Sequence, residues 1–284
     1  MAEFTRYLKV FLTFARNSLI RDMTFRTNFL LQCVSSLGWT AMNVGFYLII
    51  FEHTGSIGSD TGWDRDRFFL FIATTWLINS LVQAFFMPNA QEFSEMIRTG
   101  GLDFALLKPI DTQFLISFRR VDWSQLSNFF AGGVIGIVSL WNLAHHETNP
   151  MVPTIGSVLL YLVFLVCGIL MMYSLMIMLS ATSVWLGRNQ SLYNFWFYIT
   201  NFSRYPMEIY DRKWGKPLYS LFTYVIPILL VVNVPARILA KPLSPREGWE
   251  WWIVLWAAVA TILSVAASRW LFRRSLLSYR SASS

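Results

Sequence analysis

The sequence predicts an all-α integral membrane protein with six transmembrane helices. Of its 284 residues, 55% are hydrophobic and only 14% are charged, whereas about 25% of the residues of a soluble domain are charged. Seven apolar runs approach or exceed the roughly 20 residues that an α-helix needs to cross the hydrocarbon layer. The segment 158–179 is almost continuously apolar, which disagrees with the alternating strands of about 10 residues in a transmembrane β-barrel.

An amphipathic helix is predicted within the N-terminal segment 1–28, ahead of the first span. Apolar side chains recur there at helical spacing, and a second stripe is polar and largely basic. The apolar stripe contains Phe4, Tyr7, Leu8, Phe11, Phe14, Ala15 and Leu19, and the polar stripe contains Arg6, Lys9, Thr13 and Arg16. This pattern is typical of a helix that lies in the membrane surface. A simple extension of the first span is the alternative.

The apolar runs give the order of the candidate spans. They cover residues 29–51, 68–87, 123–141, 155–186, 189–206, 217–240 and 250–271. Lys and Arg cluster before the first run and after the last, and such clusters collect on the cytoplasmic side. Both termini are therefore expected in the cytoplasm. The number of full crossings is then even, so one of the seven runs does not cross.

The run 217–240 is the best candidate for the one that does not cross. Pro227 and Pro235 each remove a backbone donor and obstruct the preceding turn, which predicts two short half-helices that enter the membrane and return. This topology places several basic residues on the outer side, against the positive-inside rule. They are Arg204, Arg212, Lys213, Lys216, Arg237, Lys241 and Arg246. In the rival topology, 217–240 crosses and 189–206 stays at the cytoplasmic surface; charge favours it, so both stay open.

The sequence contains no recognisable catalytic or metal-binding motif. It has no Gly-rich phosphate loop of the Gly-x-x-x-x-Gly-Lys-Ser/Thr type, so the chain is not expected to hydrolyse ATP by that route. The first four spans contain no Asp, Glu, Lys or Arg, although proton and ion relays usually need ionisable groups in the membrane. Energy for uphill transport would then come from another subunit. The net charge of +7 is attributed to membrane topology rather than to nucleic acid, and no nucleic-acid partner is expected.

Several neutral polar residues lie within the predicted spans. They are Gln32, Thr40, Asn43, Asn79 and Gln83. Hydrogen bonds between helices explain such residues and are favoured here over contact with a substrate. Gly132 and Gly136 form a Gly-x-x-x-Gly pair, which predicts a close approach of two helices.

The loop 88–122 is predicted to be cytoplasmic and to contain a short amphipathic helix. Glu92, Glu95 and Arg98 follow one another at helical spacing on a polar stripe. Gly100 and Gly101 end this helix, because glycine readily adopts the left-handed cap conformation. Residues 102–107 continue the segment and Lys108-Pro109 ends it. A helix tied closely to two spans suits docking to a cytosolic partner; an interfacial helix without a partner is the equal alternative.

This loop resembles the coupling-helix segment of type-2 ABC exporter permeases. The resemblance is carried by Glu95-x-x-Arg98-x-Gly100-Gly101-Leu102-Asp103-x-x-Leu106-Leu107-Lys108-Pro109. It is similar to a bacterial branch of that family whose loop reads Gly-x-Leu-Asp-x-x-Leu-x-Lys/Arg-Pro. The segment 201–206, followed by Val225-Ile226-Pro227 and Val234-Pro235-Ala236, resembles the end of the fifth span and the re-entrant extracellular hairpin after it. The N-terminal helix also matches in place, so the resemblance covers essentially the whole chain.

The resemblance implies a six-span permease domain over residues 29–284, with a coupling loop at 88–122 and a re-entrant region at 207–248. The prolines of the re-entrant region are Pro206, Pro227 and Pro235. The residues implied in ATPase coupling are Glu92, Glu95, Arg98, Gly100, Gly101, Leu102, Asp103, Lys108 and Pro109. Two permeases, identical or paralogous, would form the channel and bind two cytosolic ATPase subunits. Those subunits would hold ATP and Mg²⁺, so the chain itself would bind no cofactor and catalyse no reaction.

The expected function is that of a permease subunit in the bacterial inner membrane. Its aromatic, uncharged spans favour an amphipathic, lipid-like or drug-like substrate. A membrane scaffold or assembly protein without transport activity is the alternative. A lipid-modifying enzyme would need clustered acids near one interface; Asp60, Asp64 and Asp66 come nearest, and solvation of the loop is their more ordinary explanation.

Overall fold

The computed structural model describes residues 2–58, 61–146, 150–186, 190–211, 213–241 and 248–279. Within these ranges the chain is helical and contains no strand. Five of the described helices are long and apolar enough to cross a membrane, or six if one bent pair counts as a single span. The multi-pass helical architecture is therefore confirmed. Asp60 and the part of the predicted re-entrant region at 242–247 lie outside the described residues.

The long helices coincide with the predicted apolar runs. They are α2 (Arg26–His53), α3 (Arg65–Phe85), α7 (Leu126–Ala144), α8 (Ile155–Leu186) and α12 (Gly248–Ser278). Between α3 and α7 lie three short helices, α4 (Met87–Arg98), α5 (Gly101–Leu106) and α6 (Thr112–Phe118). These belong to the predicted coupling loop.

The N-terminal helix α1 (Ala2–Thr24) packs on the segment that follows α6. The Trp123 indole donates to the carbonyl of Ala15 at 3.1 Å, and the backbone N–H of Val121 donates to the Ser18 hydroxyl at 3.1 Å. Residues 2–24 are thus a helix, as predicted. Its place in the membrane surface stays a prediction.

Helices α3 and α7 approach closely at the predicted glycine pair. A Cβ on Gly132 would lie 3.2 Å from the carbonyl oxygen of Ala73, and one on Gly136 would lie 3.4 Å from the Ala73 Cβ. The close approach is confirmed, since any larger side chain at either position would push α7 away from α3.

The fifth and sixth apolar runs form shorter elements than the other runs. Helix α9 (Gln190–Asn201) has 12 residues, about 18 Å at 1.5 Å per residue, and it continues as a 3₁₀ turn, Phe202–Arg204. The run 217–240 forms α10 (Lys216–Ser220), a π-helical turn and α11 (Ile228–Ala240). The two halves meet at an angle of 86°.

The prolines of this region have different positions. Pro227 stands at the break immediately before α11, and Pro206 precedes the 3₁₀ turn Met207–Ile209. Pro235 lies inside α11 and does not end it. Only Pro227 therefore separates two half-helices.

Helix α11 is the centre of the packing, since all of its residues are buried. It contacts α8, α3 and α12. Pro235 lacks the N–H that would bond to the carbonyl of Val231, four residues earlier. A Cβ on Gly168 in α8 would lie only 2.6 Å from that carbonyl oxygen, so the glycine lets the backbone of α8 approach the oxygen that the proline leaves free of its helical partner.

A buried asparagine joins α11 to the end of α9. The Asn233 side-chain carbonyl accepts from the backbone N–H of Met207 at 2.7 Å. Its amide donates to the carbonyls of Leu229 at 2.8 Å and Tyr205 at 3.3 Å. Asn233 is fully buried, and a buried amide without partners would be costly. The bonds therefore fix the turn between α9 and α10 against the core.

A cluster of charges ties the same turn to the loop between α2 and α3. One carboxylate oxygen of Glu208 accepts from Arg237 at 2.7 Å, from the Trp63 indole at 2.9 Å and from Lys241 at 3.0 Å. The Lys241 ammonium also lies 4.4 Å from the centre of the Trp63 ring. Burial alone would raise the pKa of Glu208, but the charges of Arg237 and Lys241 hold it below its ordinary value.

Replacement of Gly168 by Ala tests the contact between α8 and α11. The added Cβ would lie 2.6 Å from a backbone oxygen, so we expect Gly168→Ala to destabilise the protein by about 1–3 kcal/mol. Gly133→Ala is the control, since nothing lies within 4 Å of its Cβ and alanine favours a helix by up to about 1 kcal/mol. Thermal unfolding followed by tryptophan fluorescence measures both. Equal stability of the two variants would contradict the close contact.

Candidate functional site

The charged side chains of α4 form ion pairs with other residues of this chain. Glu92 lies near Arg119 and Arg120, with N–O distances of 3.3 and 3.5 Å. Arg98 Nε donates to Glu95 Oε2 at 3.0 Å, and this pair is exposed. The hydrogen bond with Glu95 raises the pKa of Arg98. The Glu95–Arg98 pair therefore exposes a negative and a positive charge side by side on the surface.

The predicted glycine pair lies at the junction of α4 and α5: Gly100 stands between the helices and Gly101 is the first residue of α5. Gly100 has φ of +71°, in the left-handed region that favours glycine because it has no Cβ. Helix α4 ends at Arg98, and α5 begins at Gly101. The predicted end of the helix is confirmed, and the chain turns sharply there.

The segment after the glycines has one buried and one exposed face. Leu102 is fully buried and packs with Phe93 and Phe272. Leu102 therefore lies beneath the loop surface, although the resemblance implied a role for it in ATPase coupling. Phe104 is 73% exposed and Leu107 is 81% exposed. These two apolar side chains were missed, although their spacing of three residues, offset from Leu102 and Ala105, indicates a second helical face.

The remaining predicted coupling residues surround this exposed face. Lys108 and Pro109 are exposed, and Asp103 is half-buried. Asp103 approaches Tyr279, just beyond α12; burial and a hydrogen bond with Asp103 raise the pKa of Tyr279. The end of the chain's last helix thus touches the loop.

A second buried asparagine fixes α4 to α6. The Asn89 side-chain carbonyl accepts from the backbone N–H of Arg120 at 2.8 Å, and its amide lies 2.7 Å from the Arg120 carbonyl. The same amide lies 3.0 Å from the Ser117 carbonyl and 2.7 Å from that of Phe85. The loop is therefore joined at both ends by a satisfied polar group. Asn89 was missed because two of its partners, Ser117 and Arg120, lie 28 and 31 residues away in the sequence.

An ion pair connects the end of the loop to α12. The Arg269 guanidinium forms a bidentate pair with the Asp111 carboxylate and donates to the Gln113 side chain at 2.8 Å. Asp111 also caps α6, since it accepts from the N–H of Phe114 at 2.9 Å. The hydrogen bond from Arg269 lowers the pKa of Asp111. A movement of the loop would be transmitted to the last helix through this pair.

A polar cleft of about 540 Å³ lies between α2, α3, α7 and α9. Its walls combine amides, hydroxyls and aromatic rings. The lining residues are Ser35, Ser36, Trp39, Thr40, Asn43, Tyr47, Ile72, Thr75, Trp76, Asn79, Ser80, Gln83, Met87, Gln125, Asn128, Trp196, Phe197, Thr200 and Arg204. Arg204 is the one charged side chain among them. Ligand sites commonly have volumes of about 300–1,000 Å³, so the cleft is large enough for a small amphiphile.

Four of the neutral polar residues in the predicted spans line the cleft, and two of them, Thr40 and Asn43, also form hydrogen bonds. Thr40 donates to the Asn128 side chain at 3.0 Å, which is the hydrogen bond between helices that was favoured. Asn43 donates within its own helix, to the carbonyl of Trp39. Asn79 and Gln83 line the cleft. The cleft itself was not visible in the sequence, because four separate segments contribute to it.

Two of the aspartates considered for an enzyme, Asp64 and Asp66, lie in the described part of the chain and have structural partners. Asp64 caps α3 and lies 3.4 Å from Arg67. Asp66 accepts from the Asn142 side chain at 3.2 Å. Among the described residues, no three His, Cys, Asp or Glu side chains lie close enough together to hold a metal ion.

Comparison with known proteins gives one family. A family model described as "ABC-2 family transporter protein" matches residues 37–283. The match includes the whole loop 88–122, the cleft apart from Ser35 and Ser36, and the bent helix pair. No curated protein and no solved structure matches the chain.

A double-mutant cycle tests the link between the loop and α12. We expect Asp111→Asn and Arg269→Gln to show a coupling of about 1 kcal/mol, because a charge-assisted pair of about 1.5–3 kcal/mol is weakened by solvent at partly exposed side chains. Since Arg269 lowers the pKa of Asp111 from 3.8, this contribution is complete above pH 3.8 and is lost as the pH falls through the lowered value.

Unfolding by SDS in mixed micelles measures the cycle. Arg273→Gln is the control, since Arg273 is exposed on the same helix and is expected to show no coupling with Asp111. A coupling of Asp111 with Arg269 no larger than that of the control would contradict the link.

Proposed function

The chain belongs to the ABC-2 transporter family, and we propose that it is the membrane-spanning permease subunit of an ATP-driven exporter. Members of this family are membrane components of transporters, and the match over residues 37–283 is the observation that carries the proposal. The helical, multi-pass architecture agrees with it. In this proposal ATP and Mg²⁺ bind to separate cytosolic ATPase subunits, two per complex, and this chain binds no cofactor.

The loop 88–122 is the proposed docking site for the ATPase. A movement is transmitted efficiently only through a stiff element. Asn89 joins the two ends of the loop, and the Asp111–Arg269 pair fixes its interior to α12. Phe104 and Leu107 are exposed next to Lys108 and Pro109. Apolar side chains at the centre of a polar rim are typical of a protein interface. The pair of Glu95 and Arg98 adds charge complementarity.

A second permease is proposed to complete the translocation path. Helix α2 has only 6% of its most apolar segment buried within this chain, and α7 also exposes large apolar side chains. Both helices border the cleft. A second copy or a paralogue on this side would enclose the cleft between two chains. The proposed substrate is amphipathic, since amides and aromatic rings alternate along its walls.

The bent pair α10–α11 is proposed to be a re-entrant hairpin on the outer side. Its two ends meet the same short turn: Lys241, after α11, binds Glu208 at 3.0 Å, and Gly215, before α10, lies against the backbone of Tyr210. An element whose ends meet at one place enters and leaves on the same side. With the bent pair re-entrant, six crossings require the short helix α9 to serve as the fifth. In this proposal both termini lie in the cytoplasm of a bacterial cell and the chain lies in its inner membrane.

Co-purification tests the function and the docking site together. We expect the tagged chain, extracted in mild detergent, to recover an ATPase at one copy per permease. Phe104→Asp with Leu107→Asp is expected to lower ATPase recovery at least tenfold, because charges replace the apolar centre of the contact. Val152→Asp is the control, since Val152 is 71% exposed in the loop between α7 and α8. Recovery of the wild-type chain without an ATPase would favour the scaffold alternative.

Exchange of the charged pair separates docking from helix stability. We expect Glu95→Ala with Arg98→Ala to reduce ATPase binding or coupled transport while the chain remains inserted. The swap Glu95→Arg with Arg98→Glu keeps an ion pair within the helix but reverses the charges that a partner meets. It is therefore expected to be as defective as the alanine pair. Full coupling in the swap would limit these residues to stabilising α4, and full coupling in the alanine pair would contradict their role in docking.

A further inference from the structure

Arg204 places a positive charge in the cleft that no acid neutralises there. Its side chain is exposed, and its guanidinium carbon lies 5.5 Å from the centre of the Phe197 ring. None of the described residues that line the cleft is Asp or Glu, and no ion pair of Arg204 is found within the described part of the chain. Tyr47, across the cleft on α2, is close enough to interact with it electrostatically. Arg204 thus gives the lining of the cleft a positive charge.

The backbone that carries this cation is held in place. The Ser203 hydroxyl donates to the carbonyl of Thr200 at 2.7 Å, which ends α9 in a tight turn. Asn233 binds the carbonyl of Tyr205 and the N–H of Met207, immediately after Arg204. The hydroxyl of Tyr210 donates to the carbonyl of Phe202 at 3.2 Å. The backbone is thus fixed on both sides of Arg204, so the base of its side chain has a defined position at the cleft.

Ionisable residues that face a cleft in a membrane protein often mark a substrate path. The guanidinium presents its donors in a planar fork that matches carboxylate or phosphate oxygens in a bidentate manner. The other walls of the cleft supply amides, hydroxyls and the rings of Trp39, Trp76 and Trp196. Aromatic rings of this kind pack against an apolar body and bind a polar group at their edge.

We propose that the cleft binds an amphiphile with an anionic headgroup of the phosphate type, and that Arg204 selects that headgroup. This inference rests on the proposed transport function and names the substrate class. The charge at Arg204 pairs with the headgroup, and the tryptophan rings contact the apolar part. A cationic amphiphile of the same length is disfavoured, because its charge would be repelled by the guanidinium.

Binding of matched probes tests the selection without the ATPase. The purified chain in dodecyl maltoside micelles is titrated with fluorescently labelled dodecyl phosphate and with the labelled dodecyl trimethylammonium analogue. We expect the phosphate probe to bind at least tenfold more tightly, since the guanidinium forms charge-assisted hydrogen bonds with the phosphate and repels the trimethylammonium group. Arg204→Gln is expected to reduce this preference to less than about twofold, and Arg204→Lys to keep part of it, because lysine retains the charge without the fork.

Lys213→Gln is the matched control. Lys213 is an exposed cation nine positions after Arg204, outside the lining of the cleft, and its removal changes the net charge equally. We expect it to keep the full preference. Equal binding of the two probes by the wild-type chain, or a preference that survives Arg204→Gln, would overturn the proposal. So would an equal loss in Lys213→Gln, because the preference would then come from the overall charge.

Competition by inorganic phosphate separates an amphiphile from a small anion. We expect inorganic phosphate to need at least a hundredfold higher concentration than dodecyl phosphate to displace the probe, because it cannot contact the aromatic wall. Displacement at equal concentrations would overturn the amphiphile assignment. Failure of ATPase co-purification with intact headgroup selection would contradict the transport function and leave the binding site standing, so the two failures are distinguishable.

Discussion

The architecture depends on the burial of α11. Pro235 interrupts the backbone hydrogen bonds of this helix, and Asn233 places a side-chain amide near its centre. Two residues, one in α8 and one in α11 itself, make this burial possible. Gly168 gives α8 access to the backbone oxygen that Pro235 leaves without a helical donor, and Asn233 uses its amide to hold the turn at Tyr205 and Met207. A buried polar group is costly only when it is unpaired. In this core the paired polar groups hold α9, α10 and the loop that contains Trp63 in position.

The loop 88–122 is also held in place by a buried asparagine side chain. Asn89 satisfies the backbone of Phe85 and Arg120, much as Asn233 does at the core, and the Asp111–Arg269 pair then joins the loop to α12. A displacement applied at α5 would therefore reach α3 and α12 as a rigid movement. An amphipathic helix attached by flexible linkers would absorb the same displacement, so the two polar anchors are what make a coupling role mechanically possible.

The sequence predicts the long helices well because each is decided by local hydrophobicity. Residues 155–186 form one uninterrupted helix, as their continuous apolar character requires. For the run 189–206, a full span and a segment at the cytoplasmic surface were both left open. Its helix ends at Asn201, where Ser203 turns its hydroxyl back onto the chain and Asn233, 30 positions after Ser203, binds the next residues. Likewise Leu102 was assigned to the surface from its motif, although its position on the inner face of α5 buries it. Such features depend on distant partners, which a local pattern does not contain.

Four spans of this chain carry no charge, yet its cleft contains the cation of Arg204. The early end of α9 explains this position. Tyr47, which faces Arg204, lies six residues before the end of α2 at His53, about 9 Å along the axis. Arg204 is therefore nearer one end of the bundle than its middle, where a charge costs less. The amide that shortens α9 thus determines where the charge stands, and the core packing and the electrostatics of the cleft have a common origin.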